Sequence, residues 1–164
     1  KIPLTAGEDF GILPFSMKIG LFKGGGAVEA FSDAFEQLDR IYARYARQVG
    51  LSYTSLYVLH IISLSEACTQ KSISAQSYLP KQTVNSIVMA FQKQGLVELA
   101  ELPEDRRHKL IRLTEKGRAY AGQVIPQVDR AEEKSMAQFT PEERALLLNM
   151  LRRYLQAFSD ELIK

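Results

Sequence analysis

Leu79-Pro80-Lys81-Gln82-Thr83-Val84-Asn85-Ser86-Ile87-Val88-Met89-Ala90-Phe91-Gln92-Lys93-Gln94-Gly95-Leu96-Val97 is the stretch from which the rest of this 164-residue chain can be placed. Pro80 suits the first position of a helix, where its missing N–H would find no partner in any case. From there Val84, Ile87, Val88 and Phe91 recur on one face. The spacing predicts a helix to about Gln94, with Gly95 as its stop. Lys81, Gln82, Thr83, Asn85, Ser86 and Met89 then fall on or near the outer face. After Gly95 the period changes. Leu96–Leu99 and Leu110–Leu113 read as two short strands. Between them Pro103-Glu104-Asp105-Arg106-Arg107-His108 is polar and turn-forming, which makes the pair a hairpin with a charged tip.

Working outward, Thr69 to about Tyr78 reads as a short helix that Leu79-Pro80 breaks. Ser52 caps a helix carrying Leu56, Leu59, Ile62 and Leu64. Before Gly50, residues Ala27–Val49 place Phe31, Phe35, Leu38, Tyr42, Tyr45 and Val49 at alternating steps of four and three, one face of an amphipathic helix. Downstream, Thr114 caps a long helix that Pro126 is expected to kink. Thr140-Pro141-Glu142-Glu143 opens a last helix with a capping box and a proline at its first position. That helix carries Leu146, Leu147, Leu148, Met150, Leu151, Tyr154, Leu155, Phe158 and Leu162. Its apolar stripe is wider than a monomer of this size needs, and a second subunit is expected to cover it; packing on the first long helix is the alternative.

Composition narrows the function classes. Apolar residues are 46% and charged residues 24% of the chain, as in an ordinary soluble protein. The net charge is only +2, but its distribution is uneven. Cys68–Arg118 holds nine cations against five acids, a net +4, which leaves −2 for the remainder. A single cysteine excludes an intrachain disulfide and fits a reducing compartment. No apolar run approaches the roughly 20 residues of a membrane span, and no secretory leader pattern opens the chain, so a cytoplasmic location without membrane attachment is the default. His60, His108 and Cys68 have no zinc-ligand spacing. Cys68 has no sequence-identifiable base and is expected to be buried, with redox sensing left open by the helix start beside it. No catalytic, metal or cofactor constellation emerges, and the chain does not read as an enzyme.

Helix, turn, helix and basic-tipped hairpin together form a device suited to reading a duplex. A major groove about 12 Å wide admits one helix. Gln82 and Asn85 have the amides that pair with adenine edges, and Thr83 and Ser86 can contact phosphate or a thymine methyl. Arg106 and Arg107 suit a narrow minor groove of enhanced negative potential. Asp105 can orient an arginine, while Lys81, His108 and Lys109 can meet phosphate. Each feature alone is also what a solvated surface looks like.

The stretch Thr69–Gly117 resembles the MarR family of winged helix-turn-helix regulators. The resemblance is carried by Leu79 to Val88, by Gln94-Gly95-Leu96-Val97, by Pro103 to Lys109 and by Ile111-Arg112-Leu113-Thr114-Glu115-Lys116-Gly117. The family's Asp-x-Arg wing pattern is matched by Asp105 and Arg107, and its recognition helix by the one beginning near Pro80. The resemblance implies a fold that is mainly α with a small β-hairpin wing, a winged helix-turn-helix domain plus an N- and C-terminal helical dimerisation region. The expected organisation is an N-terminal arm at residues 1–26, partly foreign to the native chain if Met17 is its start, then supporting and dimerising helices at 27–66. The DNA-binding lobe follows at 67–118 and C-terminal dimerising helices at 119–164.

In function the resemblance implies a homodimeric, sequence-specific regulator of transcription, a repressor released by a ligand or other signal. Its partners would be double-stranded DNA with a pseudo-palindromic operator and a small anionic or phenolic ligand. Tyr42, Tyr45, Tyr53, Tyr57 and His60 could contribute to a cleft for such a ligand, but core aromatics are the stronger reading and they are not taken as site residues. The alternative is a winged-helix protein–protein assembly module without specific DNA binding, which would more readily place apolar residues where Gln82, Asn85 and Asp105–Arg107 stand.

Overall fold

A computed structural model describes residues 26–102 and 105–163, with the side chains of 102 and 105–108 outside that description. The expected arm (residues 1–25 of it) and the turn residues Pro103 and Glu104 lie outside the described residues. The elements are α1 (Ala27–Gln48), α2 (Tyr53–Ser63), β1 (Cys68–Thr69), α3 (Gln70–Ser77), α4 (Lys81–Lys93), β2 (Val97–Leu102), β3 (Asp105–Leu113), α5 (Glu115–Met136) and α6 (Pro141–Leu162). The fold is mainly helical with a small antiparallel sheet, as expected. It divides into two compact units, one ending at Gly122 and the other beginning at Gln123.

The first unit is organised by caps and a small core. Ser52 Oγ accepts the Ser55 amide (3.1 Å) at the start of α2. Leu56, Val58, Leu59, Ile61 and Ile62 are all buried, so α2 is apolar almost all round and serves as the central helix. Thr69 and Ser72 exchange side-chain and backbone bonds (3.1 and 3.0 Å) in a capping box that starts α3. On α4, Val84, Ile87, Val88 and Phe91 are buried, as their spacing predicts. They join Ile73, Leu59 and Ile111 in the core. Pro80 is the residue before α4 rather than its first turn, since its ψ of 144° is still extended.

The end of α4 is closed by Gly95. The Gly95 amide donates to the Gln92 carbonyl and that of Leu96 to Phe91 (both 2.9 Å), which requires the left-handed backbone that Gly95 adopts at φ 70°. Leu96 and Val97 are buried and lead directly into β2.

The hairpin departs from expectation in two ways. Its strands reach further, and Asp105–His108, placed in a turn by composition, continue β3 by their backbone. Cross-strand pairing runs from Val97–Leu113 through Glu101–Lys109, with an irregularity between Glu101 and Leu102. Backbone ladders bond whatever the side chains are, so a polar stretch can extend a strand whose inner end is apolar. Second, a third strand was not foreseen. Cys68 and Thr69 pair with Ile111 and Leu110, giving the order β1-β3-β2. Two residues are too short to show a period of two.

In the second unit, α5 continues through Pro126 to Met136. Thr140 Oγ1 accepts the Glu143 amide (3.2 Å) and Glu143 Oε2 accepts that of Thr140 (2.7 Å), the capping box predicted for α6. No residue of α6 is buried. Leu146 is 59%, Leu155 52% and Leu162 68% exposed, and the Tyr154 and Phe158 rings stack on one another at 5.9 Å.

Gly117, on α5, meets the backbone of Leu96 so closely that a Cβ there would run into the Leu96 carbonyl oxygen. Gly122, on the same helix, has open space around it. Gly117→Ala is therefore expected to destabilise by roughly 1–3 kcal/mol through overpacking, outweighing the helix-propensity gain of about 1 kcal/mol. Gly122→Ala should stabilise by about 0.5–1 kcal/mol. Urea unfolding of both variants checks the pair; two changes of the same sign would contradict the packing.

Candidate nucleic-acid interface

The site begins with the two-sidedness of α4. Its buried face fixes the helix against the core, which leaves Lys81, Gln82, Asn85 and Ser86 exposed along the other side, with Thr83 half-buried between them. Met89 lies on the same exposed side, further along the helix. The hydroxyl of Ser86 donates to the Gln82 carbonyl (3.0 Å), so its hydrogen is engaged within the helix. Asn85 Oδ1 accepts from Gln70 Nε2 across the gap between α3 and α4 (3.0 Å).

The turn leading into α4 is held from behind. Ser74 Oγ donates to the Leu79 carbonyl (2.7 Å), Ser77 Oγ to that of Ile73 (2.7 Å), and the Leu79 amide donates to Ser77 Oγ (3.2 Å). Between these bonds Tyr78 adopts φ 56° and projects from the surface, 91% exposed. Gln70 and Tyr78 both border α4, and sequence patterning singled out neither. Gln70 meets Asn85 only through the tertiary fold, and Tyr78 carried no periodic or charge signal.

Of the wing residues, Lys109 is exposed on β3 opposite Glu101. Asp105, Arg106, Arg107 and His108 lie on β3 by their backbone, and their side chains lie outside the described residues. Two cations of the basic middle segment have structural duties. Lys116 Nζ donates to the Gln94 carbonyl at the end of α4 (2.7 Å), where a cation suits the helix terminus. Arg118 donates to the Leu113 carbonyl (2.7 Å). Lys71, Lys81 and Lys93 are exposed.

The aromatic group lies apart from this surface in the sequence. The Tyr42 and Tyr53 rings stack at 5.8 Å. Burial, then Asp39, push the Tyr53 hydroxyl up to about 12. Tyr45 and His60 are half-buried and Tyr57 is exposed. Among the described residues, no cluster of three or more His, Cys, Asp or Glu stands close enough to hold a metal ion, and no helix is long and apolar enough to cross a membrane.

Known proteins share this arrangement. A sequence model of the MarR family matches residues 49–108, the span from the end of α1 to the wing. The chain is 27% identical to the transcriptional repressor NicR of Pseudomonas putida over 128 residues, 78% of this chain and 80% of that protein. Its fold is similar to that of a MarR family regulator from Neisseria meningitidis, with a TM-score of 0.68 and 26% identity over 84% of this chain and 96% of the other. A variant of MarR from E. coli in complex with operator DNA shares the fold at a TM-score of 0.64 and 20% identity, over 77% of this chain and 91% of that one.

Cys68, on β1, is buried against the Ile111 carbonyl. Burial pushes its thiol up, against a smaller opposing effect of Ser65. A raised thiol holds less thiolate at a given pH, so Cys68 of the native protein at pH 8 should alkylate with iodoacetamide far more slowly than in 8 M urea (a reagent concentration of about 8 M, ample for domains of this size). Equal rates in the two conditions would contradict the burial and reopen a redox role.

Proposed function

We propose, from the premise that the chain belongs to the MarR family of winged helix-turn-helix regulators, that it is a homodimeric repressor of transcription. It would bind one pseudo-palindromic site on double-stranded DNA. The observation that carries this reading is the exposed polar face of α4, with Lys81, Gln82 and Asn85 held outward by a buried apolar face. A helix so presented fits a major groove, with amides for base edges and a lysine for phosphate.

The wing supplies the second contact in this reading. Arg107, with Asp105 as its orienting partner and Arg106, His108 and Lys109 beside it, enters the minor groove, while Thr83 meets the backbone at the groove edge and Ser86 does so by turning its hydroxyl away from the Gln82 carbonyl. Dimerisation through α1 and α6 would cover the apolar side chains that α6 leaves exposed. It would also set two copies of α4 about one helical turn apart. Release by a small anionic or phenolic ligand extends the reading. It is supported by relatives whose names record such control, among them a regulator from Bordetella bronchiseptica whose DNA binding is regulated by 6-hydroxynicotinic acid. No part of this reading calls for catalysis or a cofactor.

Selection of the purified protein against random duplexes, repeated across a salt series, tests it. Enrichment of a palindrome and a steep fall of affinity with salt are expected. Arg107→Ala should then weaken binding to the selected site by roughly tenfold or more with an unchanged melting temperature, as loss of a charged groove contact implies. Weak binding that enriches no sequence would overturn the reading in favour of an assembly module.

A further inference from the structure

We infer that Tyr78, in the turn between α3 and α4, is a DNA-contacting residue whose hydroxyl donates to a backbone phosphate bordering the groove that α4 enters. The inference rests on the proposed seating of α4 in the major groove and adds an uncharged contact from outside that helix.

Tyr78 ends α3 in the left-handed region, at φ 56° and ψ 15°. Among the described residues it is the only non-glycine with a positive φ; Gly26, Gly50 and Gly95 fill the other such positions. A bulky side chain is out of place there, because its Cβ crowds the backbone. The turn itself needs only the conformation, which glycine adopts without that crowding. Nor does packing of the ring offset the strain, since Tyr78 is 91% exposed.

What the fold does supply is direction. The next residue, Leu79, is held at its amide by Ser77 Oγ (3.2 Å) and at its carbonyl by Ser74 Oγ (2.7 Å). Ser77 Oγ is itself anchored on the Ile73 carbonyl (2.7 Å). A strained backbone persists only where its surroundings fix it. Here they fix it so that a side chain the fold does not use projects outward.

Position identifies the ligand. Tyr78 stands three residues before Lys81, so their Cα atoms are at most about 11 Å apart. A major groove is about 12 Å wide. With Lys81 and Gln82 seated at such a groove, a side chain projecting from Tyr78 reaches the phosphates of a flanking strand. Tyrosine suits that place, with a rigid ring and an O–H that donates to an anionic oxygen. Being uncharged, it displaces no counterion and strengthens binding without steepening the salt dependence.

The experiment uses the full chain and a duplex selected by the parent. Tyr78→Phe keeps the ring and loses the donor, whereas Tyr78→Gly relieves the backbone and loses both. Tyr78→Phe should bind that duplex on the order of tenfold more weakly, with the same base preferences and an unchanged slope of affinity against salt. Tyr78→Gly should bind no better than Tyr78→Phe, yet melt at the parent's temperature or a few degrees above it. In a scan of single methylphosphonates along the duplex, one phosphate in each half-site should matter to the parent and not to Tyr78→Phe. Parental affinity in Tyr78→Phe would overturn the inference and leave Tyr78 a solvated residue. A lowered melting temperature in Tyr78→Gly would overturn it too, as would identical methylphosphonate profiles for Tyr78→Phe and the parent. If the parent selects no duplex at all, the DNA-binding reading itself fails, a distinct result that removes this contact with it.

Discussion

The carbonyl oxygen of Leu96 accepts the Thr114 amide (3.0 Å) and lies against the bare Cα of Gly117. Thr114 Oγ1, from the same corner, donates to the Gly95 carbonyl (2.7 Å) and accepts the Gly117 amide (2.9 Å). Four elements meet in these few bonds: the end of α4, the start of β2, the end of β3 and the start of α5. The direction in which the hairpin leaves α4 is set here, because Gly95 turns the chain and Thr114 fixes where it returns. The proposed function needs that angle held, since in it the helix and the hairpin meet one duplex from two sides. Bonds to otherwise orphaned carbonyl and amide groups at two helix ends do this without additional core volume.

Burial supplies the other half of the constraint. Val84 and Val88 are fully buried and Phe91 nearly so, which leaves α4 no freedom to roll about its axis. Which side chains face outward is then a consequence of which face inward, and Lys81, Gln82 and Asn85 are exposed for that reason. Ser74, which donates to the Leu79 carbonyl, and Ser77, which accepts the Leu79 amide, complete the backbone bonding of a segment that belongs to neither helix. Basic charge plays a divided part. Lys116 and Arg118 are bonded to carbonyls within the fold, so the positive balance of the middle segment overstates the charge available for phosphate.

Much of this was legible in the amino-acid order. Val84, Ile87, Val88 and Phe91 announced α4 by period, Gly95 its end, and Thr140-Pro141-Glu143 the start of α6, because each signal is local and has one physical cause. The strands were harder to read. β3 extends through Asp105–His108, residues whose composition suits a turn, since a backbone ladder places no apolar demand on side chains at a hairpin's outer end. β1 is two residues long and exists because β3 offers it an edge. The Gln70–Asn85 bond is the clearest example of what local patterning cannot reveal. Fifteen positions separate the two residues, and neither amide is unusual on a helix. The apolar breadth of α6 was legible as an excess, and no residue of α6 is buried in the single chain.

The central claim, that α4 reads base edges in the major groove, is tested most directly by methylation interference on a selected duplex. Dimethyl sulfate marks guanine N7, an atom that faces the major groove. The account predicts that methylation blocks binding at two symmetric places about one helical turn, roughly 10 base pairs, apart. Binding that stays intact whichever guanine N7 is methylated would contradict it, and would confine the protein's contacts to the backbone and the minor groove.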